Sequence, residues 1–354
     1  MNTKIIKIES DDLARNDERE KIQYAAEVIK GGGTVVFPTE TVYGLGADGM
    51  RADSVKKIYT AKGRPSDNPM ILHISNLEML KKLTVHVSSK ARALMEEFWP
   101  GPLTLVMKKT PEVPLETTGG LDTVAVRMPD HPVAMALIEA AGVPLAAPSA
   151  NLSGKPSPTS AAHVIEDLDG RVDVIISSQR SRIGLESTVV DVTEEVPVLL
   201  RPGGISLAQL QDVVGEVKID KGVKESLKEG ETPKAPGMKY RHYAPEGKMI
   251  LVKGPIQGVI YRMKSILEDE NFSEENRVAL VPTEFLDEFA GYAVIDMGSI
   301  NSPQEIMERL YSSLRKCNQI KADTILAPLF EDEEKFLAVN NRLSKAAGYN
   351  IVTV

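Results

Sequence analysis

Thr34-Val35-Val36-Phe37-Pro38-Thr39-Glu40-Thr41-Val42-Tyr43-Gly44-Leu45-Gly46 begins as a strand and breaks at a proline into hydroxyls, a carboxylate and glycines. β-Branched and aromatic residues suit a pleated, buried surface, and proline stops the ladder because it has no N–H to donate. Just upstream, Ile22, Ala25, Val28 and Ile29 recur at helical spacing and end at Gly31-Gly32-Gly33. A helix therefore feeds a strand, and polar side chains gather just past that strand's end. In open α/β sheets this is where ligands bind.

The same pattern continues on either side. Asp53 is placed to cap a second helix that runs to Lys62-Gly63. Strand character recurs at 70–74, 103–107, 123–128, 145–147, 172–176, 187–192 and 198–201, and helical spacing near 88–98, 131–141, 159–168 and 206–214. Many short strands with few clean strand–helix–strand repeats predict one large mixed-sheet α/β domain over residues 1–215.

Residues 216–247 read as a linker, charged and Lys/Glu-rich at first and ending in Pro236-Gly237-Met238-Lys239-Tyr240-Arg241-His242-Tyr243-Ala244-Pro245. Two tyrosines and three potential cations between prolines are more chemistry than a passive tether needs, so this strap is expected to dock on something. From 248 to 354, strands near 249–252, 278–281, 292–296 and 324–327 alternate with helices near 256–268, 283–289, 302–320 and 332–346. That alternation predicts a small Rossmann-like, doubly wound parallel-sheet domain. Its first loop, Gly254-Pro255-Ile256-Gln257-Gly258, lacks the three-glycine dinucleotide fingerprint, so no bound cofactor is expected there.

Composition narrows the function. The 354 residues are 42% hydrophobic and 26% charged, which excludes disordered and low-complexity classes. The net charge is -8, and a protein that binds phosphate backbones generally is basic, so any nucleic-acid contact must be a local patch. Residues 246–354 carry 12 basic and 17 acidic side chains against 30 and 33 in the remainder, so a cationic pocket is easier to place in the first part. The one cysteine, Cys317, has no Cys or His at ligand spacing, which argues against a zinc site and fits a reducing compartment. Acidic residues follow Met1 to Lys7 at once, and no run of about 18 apolar residues occurs, so a cytoplasmic protein without membrane contact is expected.

The sequence has no Gly-x-x-x-x-Gly-Lys-Ser/Thr loop, no Gly-x-Ser-x-Gly elbow and no His-Glu-x-x-His. P-loop hydrolysis, α/β-hydrolase chemistry and zinc proteolysis are disfavoured. What remains is a set of polar residues at strand ends: Thr39 to Thr41, Lys62-Gly63-Arg64-Pro65-Ser66-Asp67-Asn68-Pro69, His73, Arg127, Pro148-Ser149-Ala150-Asn151, Ser187-Thr188 and Arg201-Pro202-Gly203. Singly, each has an ordinary structural reading. Thr39 and Thr41 suit a turn, and Glu40 a first helical turn. Lys62 to Pro65 suit a solvated helix end, and His73 a half-buried strand position. Ser149 and Asn151 suit caps, and Arg127 and Arg201 structural ion pairs. Only their joint arrangement argues for a site.

In this order, Pro-Thr-Glu-Thr-Val-Tyr-Gly-Leu-Gly, Lys-Gly-Arg-Pro-x-x-x-Pro, Pro-Ser-Ala-Asn, Ser-Thr-Val-Val-Asp and Arg-Pro-Gly resemble the YrdC-like family of L-threonylcarbamoyladenylate synthases over roughly residues 15–215. The strap and the α/β tail resemble its longer, two-domain branch. The resemblance implies synthesis of threonylcarbamoyl-AMP and pyrophosphate from L-threonine, bicarbonate or CO2, and ATP. Magnesium would arrive with the ATP phosphates and not in a protein cage. A separate transferase complex would pass the group to tRNA, with tRNA contact by this chain not required.

The resemblance also assigns residues. Lys62 and Arg64 correspond to phosphate-facing catalytic cations. Arg64, Asn68, Ser149, Asn151, Ser157 and Arg201 fall in the ATP site, with Thr123 beside it and His242 or Tyr243 on the nucleotide from the strap, which acts as a lid. Thr41, His73, Arg127, the backbone near Ala147 and Ser187 fall in the threonine site. The alternatives from other classes are an RNA-binding module with a cationic concave face, against which the overall acidity counts, and a carbamoyl or acyl adenylation of a different acceptor.

Overall fold

The computed structural model describes the chain except residues 1, 10–12, 14, 226–232, 234, 236–241 and 270–275. It divides into two compact units, one of Met1–Ser153 with Ser157–Lys239 and one of Gly154–Pro156 with Tyr240–Val354.

In the first unit the strands are β1 (Lys4–Lys7), β2 (Val35–Phe37), β3 (Gly44–Asp48), β4 (Ile71–His73), β5 (Leu103–Lys108), β6 (Thr123–Arg127), β7 (Leu145–Ala146), β8 (Val174–Ser177), β9 (Thr188–Asp191), β10 (Val198–Arg201) and β11 (Lys218–Ile219). They form one sheet in the order β1-β8-β2-β3-β7-β4-β6-β5-β9-β10-β11. It is mixed, as the sequence predicts: β4 pairs with β6 in parallel, whereas β5–β6, β2–β3 and β9–β10 are antiparallel. The helix Asn16–Lys30 turns Ile22, Ala25, Ala26 and Ile29 inward against Val133, Leu137 and Ile138 of the helix Pro132–Ala141, over Val35, Phe37 and Ile176 of the sheet. Burying each large aliphatic side chain of this set contributes about 1.5–3 kcal/mol. On the sheet, Ile71, Val106, Ala125, Val189 and Leu200 form a second apolar cluster.

Several local readings change. The second helix is Ala52–Lys62 with Arg51 at its N-cap, so Asp53 lies in the first turn and pairs with Arg51 instead of capping. Gly44 to Asp48, where the sequence pattern assigns no strand, is strand β3, antiparallel to β2. Its glycines hid it, because glycine weakens a strand pattern. They are required by close packing: a Cβ on Gly46 would lie 2.7 Å from the Phe37 ring. The stretch read as the start of the linker contributes β11, parallel to β10, and a short helical turn at Lys221–Val223.

The second unit has five parallel strands, β12 (Lys248–Lys253), β13 (Arg277–Val281), β14 (Val294–Asp296), β15 (Thr324–Pro328) and β16 (Ile351–Thr353), in the order β14-β13-β15-β12-β16. Helices Ile256–Leu267, Pro303–Gln319 and Leu337–Ala346 connect them. The helix expected at 283–289 is two single 3-10 turns, Thr283–Phe285 and Asp287–Phe289, and β16 adds a strand the pattern did not reveal. Buried Cys317 lies on Pro303–Gln319, and burial pushes its thiol up to about 12, so it is inert. Among the described residues no helix is long and apolar enough to cross a membrane.

One backbone approach ties this fold to the polar strand ends. After β10, Gly203 passes so close to 186–188 that a Cβ there would lie 2.4 Å from the Glu186 carbonyl oxygen and 2.5 Å from the Thr188 nitrogen. Both neighbours are main chain and cannot rotate away. Gly203→Ala is therefore expected to destabilise the first unit by about 1–3 kcal/mol through overpacking. Thermal unfolding measures this, and an unchanged melting temperature would contradict the packing.

Candidate functional site

The site begins with register. His73 on β4 stands opposite Arg127 on β6, and Arg127 stands opposite Thr104 on β5. Directly opposed residues share a sheet face, so these three side chains form one polar row across adjacent strands. The row continues through side chains: the Thr104 and Ser187 hydroxyls are 2.7 Å apart, and Arg201 donates through Nη2 to the Ser187 carbonyl (3.0 Å) and hydroxyl (3.2 Å). All five of these side chains are buried.

Arg127 is the centre of the arrangement. Its Nη1 donates to the Thr41 hydroxyl (2.9 Å), its Nε to the Gly101 carbonyl (3.2 Å), and its Nη2 lies 2.5 Å from a Glu40 carboxylate oxygen. The Glu40 contact is close in distance but lacks hydrogen-bond alignment, so neither Glu40 oxygen and not Arg127 Nη2 has a hydrogen-bond partner among the described residues. At this distance the two side chains form a buried ion pair. The 38–43 turn is itself braced: Thr39 is 2.8 Å from the Thr41 hydroxyl and donates to the Val42 carbonyl (2.6 Å), while Ile183 N–H donates to Glu40 O and Gly184 N–H to Thr41 O. Glu40 is not in a helical turn, contrary to its ordinary reading.

His73 is fully buried, not half-buried, with its Nδ1 3.3 Å from the Ile71 carbonyl and its ring edge-on to Phe37. Burial, with the positive Arg127 beside it as a second cause, lowers its pKa from 6.5 to about 3, so the imidazole is neutral at neutral pH.

Lys62 is not a solvated helix end. Gly63 takes the left-handed cap at φ 60°, but the Lys62 side chain is 2% exposed and its Nζ donates to the Ser149 and Asn151 carbonyls. Ser149 Oγ in turn donates to Asn151 Oδ1 at 2.6 Å, a contact within the loop and not a helix cap. This loop joins the 38–43 turn through Leu45 N–H to Pro148 O, Ala150 N–H to Tyr43 O and a bridge between Gly44 and Ser149. Ala147 follows directly from β7, its N–H on the Ile71 carbonyl. Arg64 Nη2 donates to Pro69 O (2.9 Å) and Asn68 O (3.3 Å), and the buried Asn68 Oδ1 has no hydrogen-bond partner among the described residues. Ser157 Oγ donates to Glu186 Oε1 (2.6 Å), next to Ser187.

Thus Thr41, Lys62, His73, Arg127, Ala147, Ser149, Asn151, Ser157, Ser187 and Arg201 belong to one hydrogen-bonded and register-paired neighbourhood, with Arg64 and Asn68 close in sequence to Lys62. Thr123 sits apart, opposite Lys108 at the far end of β6. Four residues of strand put it roughly 13 Å from Arg127 on the same face. Continuing the Ile71–Ala125 register by two places sets it level with Pro69, whose carbonyl holds Arg64. Of the strap, residues 236–241 lie outside the described residues. His242 and Tyr243 belong to the second unit, where Tyr243 stacks on Tyr311 at 5.1 Å.

Sequence reading missed Thr104 and Glu186 as supports of this neighbourhood, while Thr39, read as a turn residue, does brace the turn. A threonine inside the otherwise apolar run at 103–107, and a glutamate beside Ser187 in a stretch without surface character, were the available signals.

Comparison with known proteins identifies the family. Residues 27–203 match the Sua5_yciO_yrdC family model, described as telomere recombination, and residues 205–348 match Sua5_C, described as the C-terminal domain of threonylcarbamoyl-AMP synthase. The threonylcarbamoyl-AMP synthase of Pyrococcus abyssi is 48% identical over 95% of this chain and 97% of its own. That of Bacillus subtilis is 44% identical over 97% of each. The crystal structure of P. abyssi Sua5 complexed with L-threonine has a TM-score of 0.92 at 46% identity, covering 99% of this chain and 100% of that one. The structure of E. coli YciO, at 27% identity and a TM-score of 0.52, covers 59% of this chain and 99% of its own. The chain belongs to the Sua5/YciO/YrdC family and is an enzyme of the threonylcarbamoyl-AMP synthase type.

The buried His73 gives a pH prediction. In the unfolded chain an imidazole takes up a proton near pH 6.5, whereas in the fold His73 stays neutral down to about 3. Between those values the unfolded state holds the extra proton, so stability falls as pH drops below about 6.5. His73→Gln should flatten this acid limb by up to about 1.4 kcal/mol per pH unit, read by urea unfolding across the acid range. Equal slopes in both proteins would show that His73 is not held neutral.

Proposed function

We propose that this chain condenses L-threonine, bicarbonate or CO2, and ATP into L-threonylcarbamoyl-AMP with release of pyrophosphate, the activated intermediate for threonylcarbamoyladenosine in tRNA. The observation that carries the reading is the pair of buried arginines, Arg127 and Arg201, joined through Thr104 and Ser187 along one row. One suits an amino-acid carboxylate, because a guanidinium can donate two parallel bonds to it, and the other suits a phosphate.

In this reading Thr41, His73, Arg127, the Ala147 backbone and Ser187 surround threonine. Arg64, Asn68, Ser149, Asn151, Ser157 and Arg201 take the nucleotide, with Thr123 at its outer end. The threonine amine, as the neutral nucleophile, adds to CO2 with release of one proton, or to bicarbonate with release of water and no net proton, giving the carbamate in either case. A carbamate oxygen then attacks the α-phosphorus of ATP in line with the departing pyrophosphate. No covalent enzyme intermediate is needed. Lys62 and Arg64 neutralise charge spreading over the phosphate oxygens, a role in which fixed donors cost no reorganisation during the reaction. Neutral His73 can offer a hydrogen bond without competing for the anionic groups. Magnesium comes with the ATP phosphates.

The mixed anhydride is prone to hydrolysis, and the strap at 236–245, including His242 and Tyr243, is assigned the task of shielding it. A transferase complex that takes the product to tRNA completes the partner set, and the reaction is placed in the cytoplasm.

Pyrophosphate release should require L-threonine and bicarbonate together, measured by a coupled pyrophosphate assay; equal release with either omitted would refute the reading. Arg64→Ala should slow turnover roughly 100-fold, the scale for losing one transition-state donor, while the melting temperature moves by no more than a few degrees. A large loss of stability with proportionate loss of activity would make Arg64 a structural residue instead.

A further inference from the structure

We propose that Glu40 is a specificity residue that receives the α-ammonium group of the substrate, beside the carboxylate taken by Arg127. This rests on the amino-acid reading above and deepens it. Glu40 is 2% exposed, yet neither carboxylate oxygen has a hydrogen-bond partner among the described residues. An ionised carboxylate offers about four acceptor positions, and native folds rarely leave such a group empty without a use. The nearest cation, Arg127 Nη2, is only 2.5 Å away but misaligned, so it balances the charge without filling the lone pairs.

Arg127 is similarly placed. Of its five N–H groups, one goes to Gly101 and one to Thr41, and Nη2 touches Glu40 without a hydrogen bond among the described residues, so at least two N–H groups remain for a ligand. An α-amino acid carries a carboxylate and an ammonium on one carbon, so a guanidinium and a carboxylate in contact are the matching pair of opposite charges. Glu40 is also fixed in advance: its carbonyl accepts from Ile183 N–H at 2.8 Å, and Thr41 next to it is held by Thr39 and Arg127. The ligand class selected is an α-amino acid with a free ammonium group, and an α-hydroxy acid of the same shape should be rejected.

The test is isothermal titration of the full chain with L-threonine and with the 2,3-dihydroxybutanoate of the same configuration, in the unmodified protein and in Glu40→Gln. The unmodified protein should prefer threonine by about 10- to 100-fold, the scale of a charge-assisted hydrogen bond, and Glu40→Gln should abolish most of that preference. Freeing Arg127 from its counter-charge alters the affinity for both ligands alike, so the ratio isolates the ammonium contact. A ratio unchanged by the substitution would overturn the proposal.

A second measurement does not depend on the variant folding. At neutral pH, threonine binding in buffers of different ionisation enthalpy should release no proton, whereas release of about one proton per threonine would mean the amine binds neutral and would overturn it. If threonine does not bind the unmodified protein at all, the amino-acid reading fails and this assignment with it. Threonine binding without discrimination fails the Glu40 assignment alone.

Discussion

A buried arginine in the middle of a sheet needs a reason to be there. Removing a guanidinium and a carboxylate from water costs several kcal/mol per ion, and their attraction recovers this only with good geometry, so an apolar pair of similar size is often as stable. Arg127 and Glu40 are 4% and 2% exposed, their contact is close but misaligned, and apolar Ile71, Val106 and Ala125 lie among the same strands. Stability alone does not account for the pair. Its retention is understandable if the charges are kept for a ligand, and the supports around Arg127, from Gly101, Thr41 and the row on β4 and β5, all serve to fix its orientation.

The same economy applies to the other cations. Lys62 is held by two backbone carbonyls and Arg201 by the carbonyl and hydroxyl of Ser187. These bonds to neutral groups fix the position of each cation. Cations gathered in one neighbourhood are a local feature that a net charge of -8 over the whole chain does not reveal. Such a gathering also agrees with a reaction whose difficulty is charge on phosphate oxygens and not the creation of a nucleophile.

Much of this was legible in the sequence, and the failures have physical causes. Long periodic segments such as 16–30 and the apolar strands at 103–108 and 198–201 declare themselves because burial of one face dictates composition. Strand β3 was hidden because Gly44 and Gly46 answer to the Phe37 ring across the hairpin, a constraint set by a neighbour and not by local propensity. The site residues could be listed, but their state could not. His73 and Lys62 read as half-buried and solvated because sequence carries no record of the chain that covers them, and Lys62 is covered by a loop 87 residues away. Glu40 had a bland reading for the same reason, since its partner lies on β6. Thr104 was masked by its apolar neighbours.

These long separations have a consequence for how function depends on folding. Thr104 meets Ser187 across 83 residues, Thr41 meets Arg127 across 86, and Lys62 meets Asn151 across 89. Apart from neighbouring Lys62 and Arg64, no local segment carries two of these charged groups, and Lys62 is itself held by carbonyls 87 and 89 residues away, so the full set assembles only once the whole sheet has its register. Side chains alternate faces with a period of two, and a slip of β6 by one residue would carry Arg127 to the opposite face and leave Glu40 buried without its counter-charge. The penalty for that orphaned charge falls on every misregistered pairing. The polar row that suits the chemistry therefore also selects the strand register, even though it adds little net stability to the native sheet.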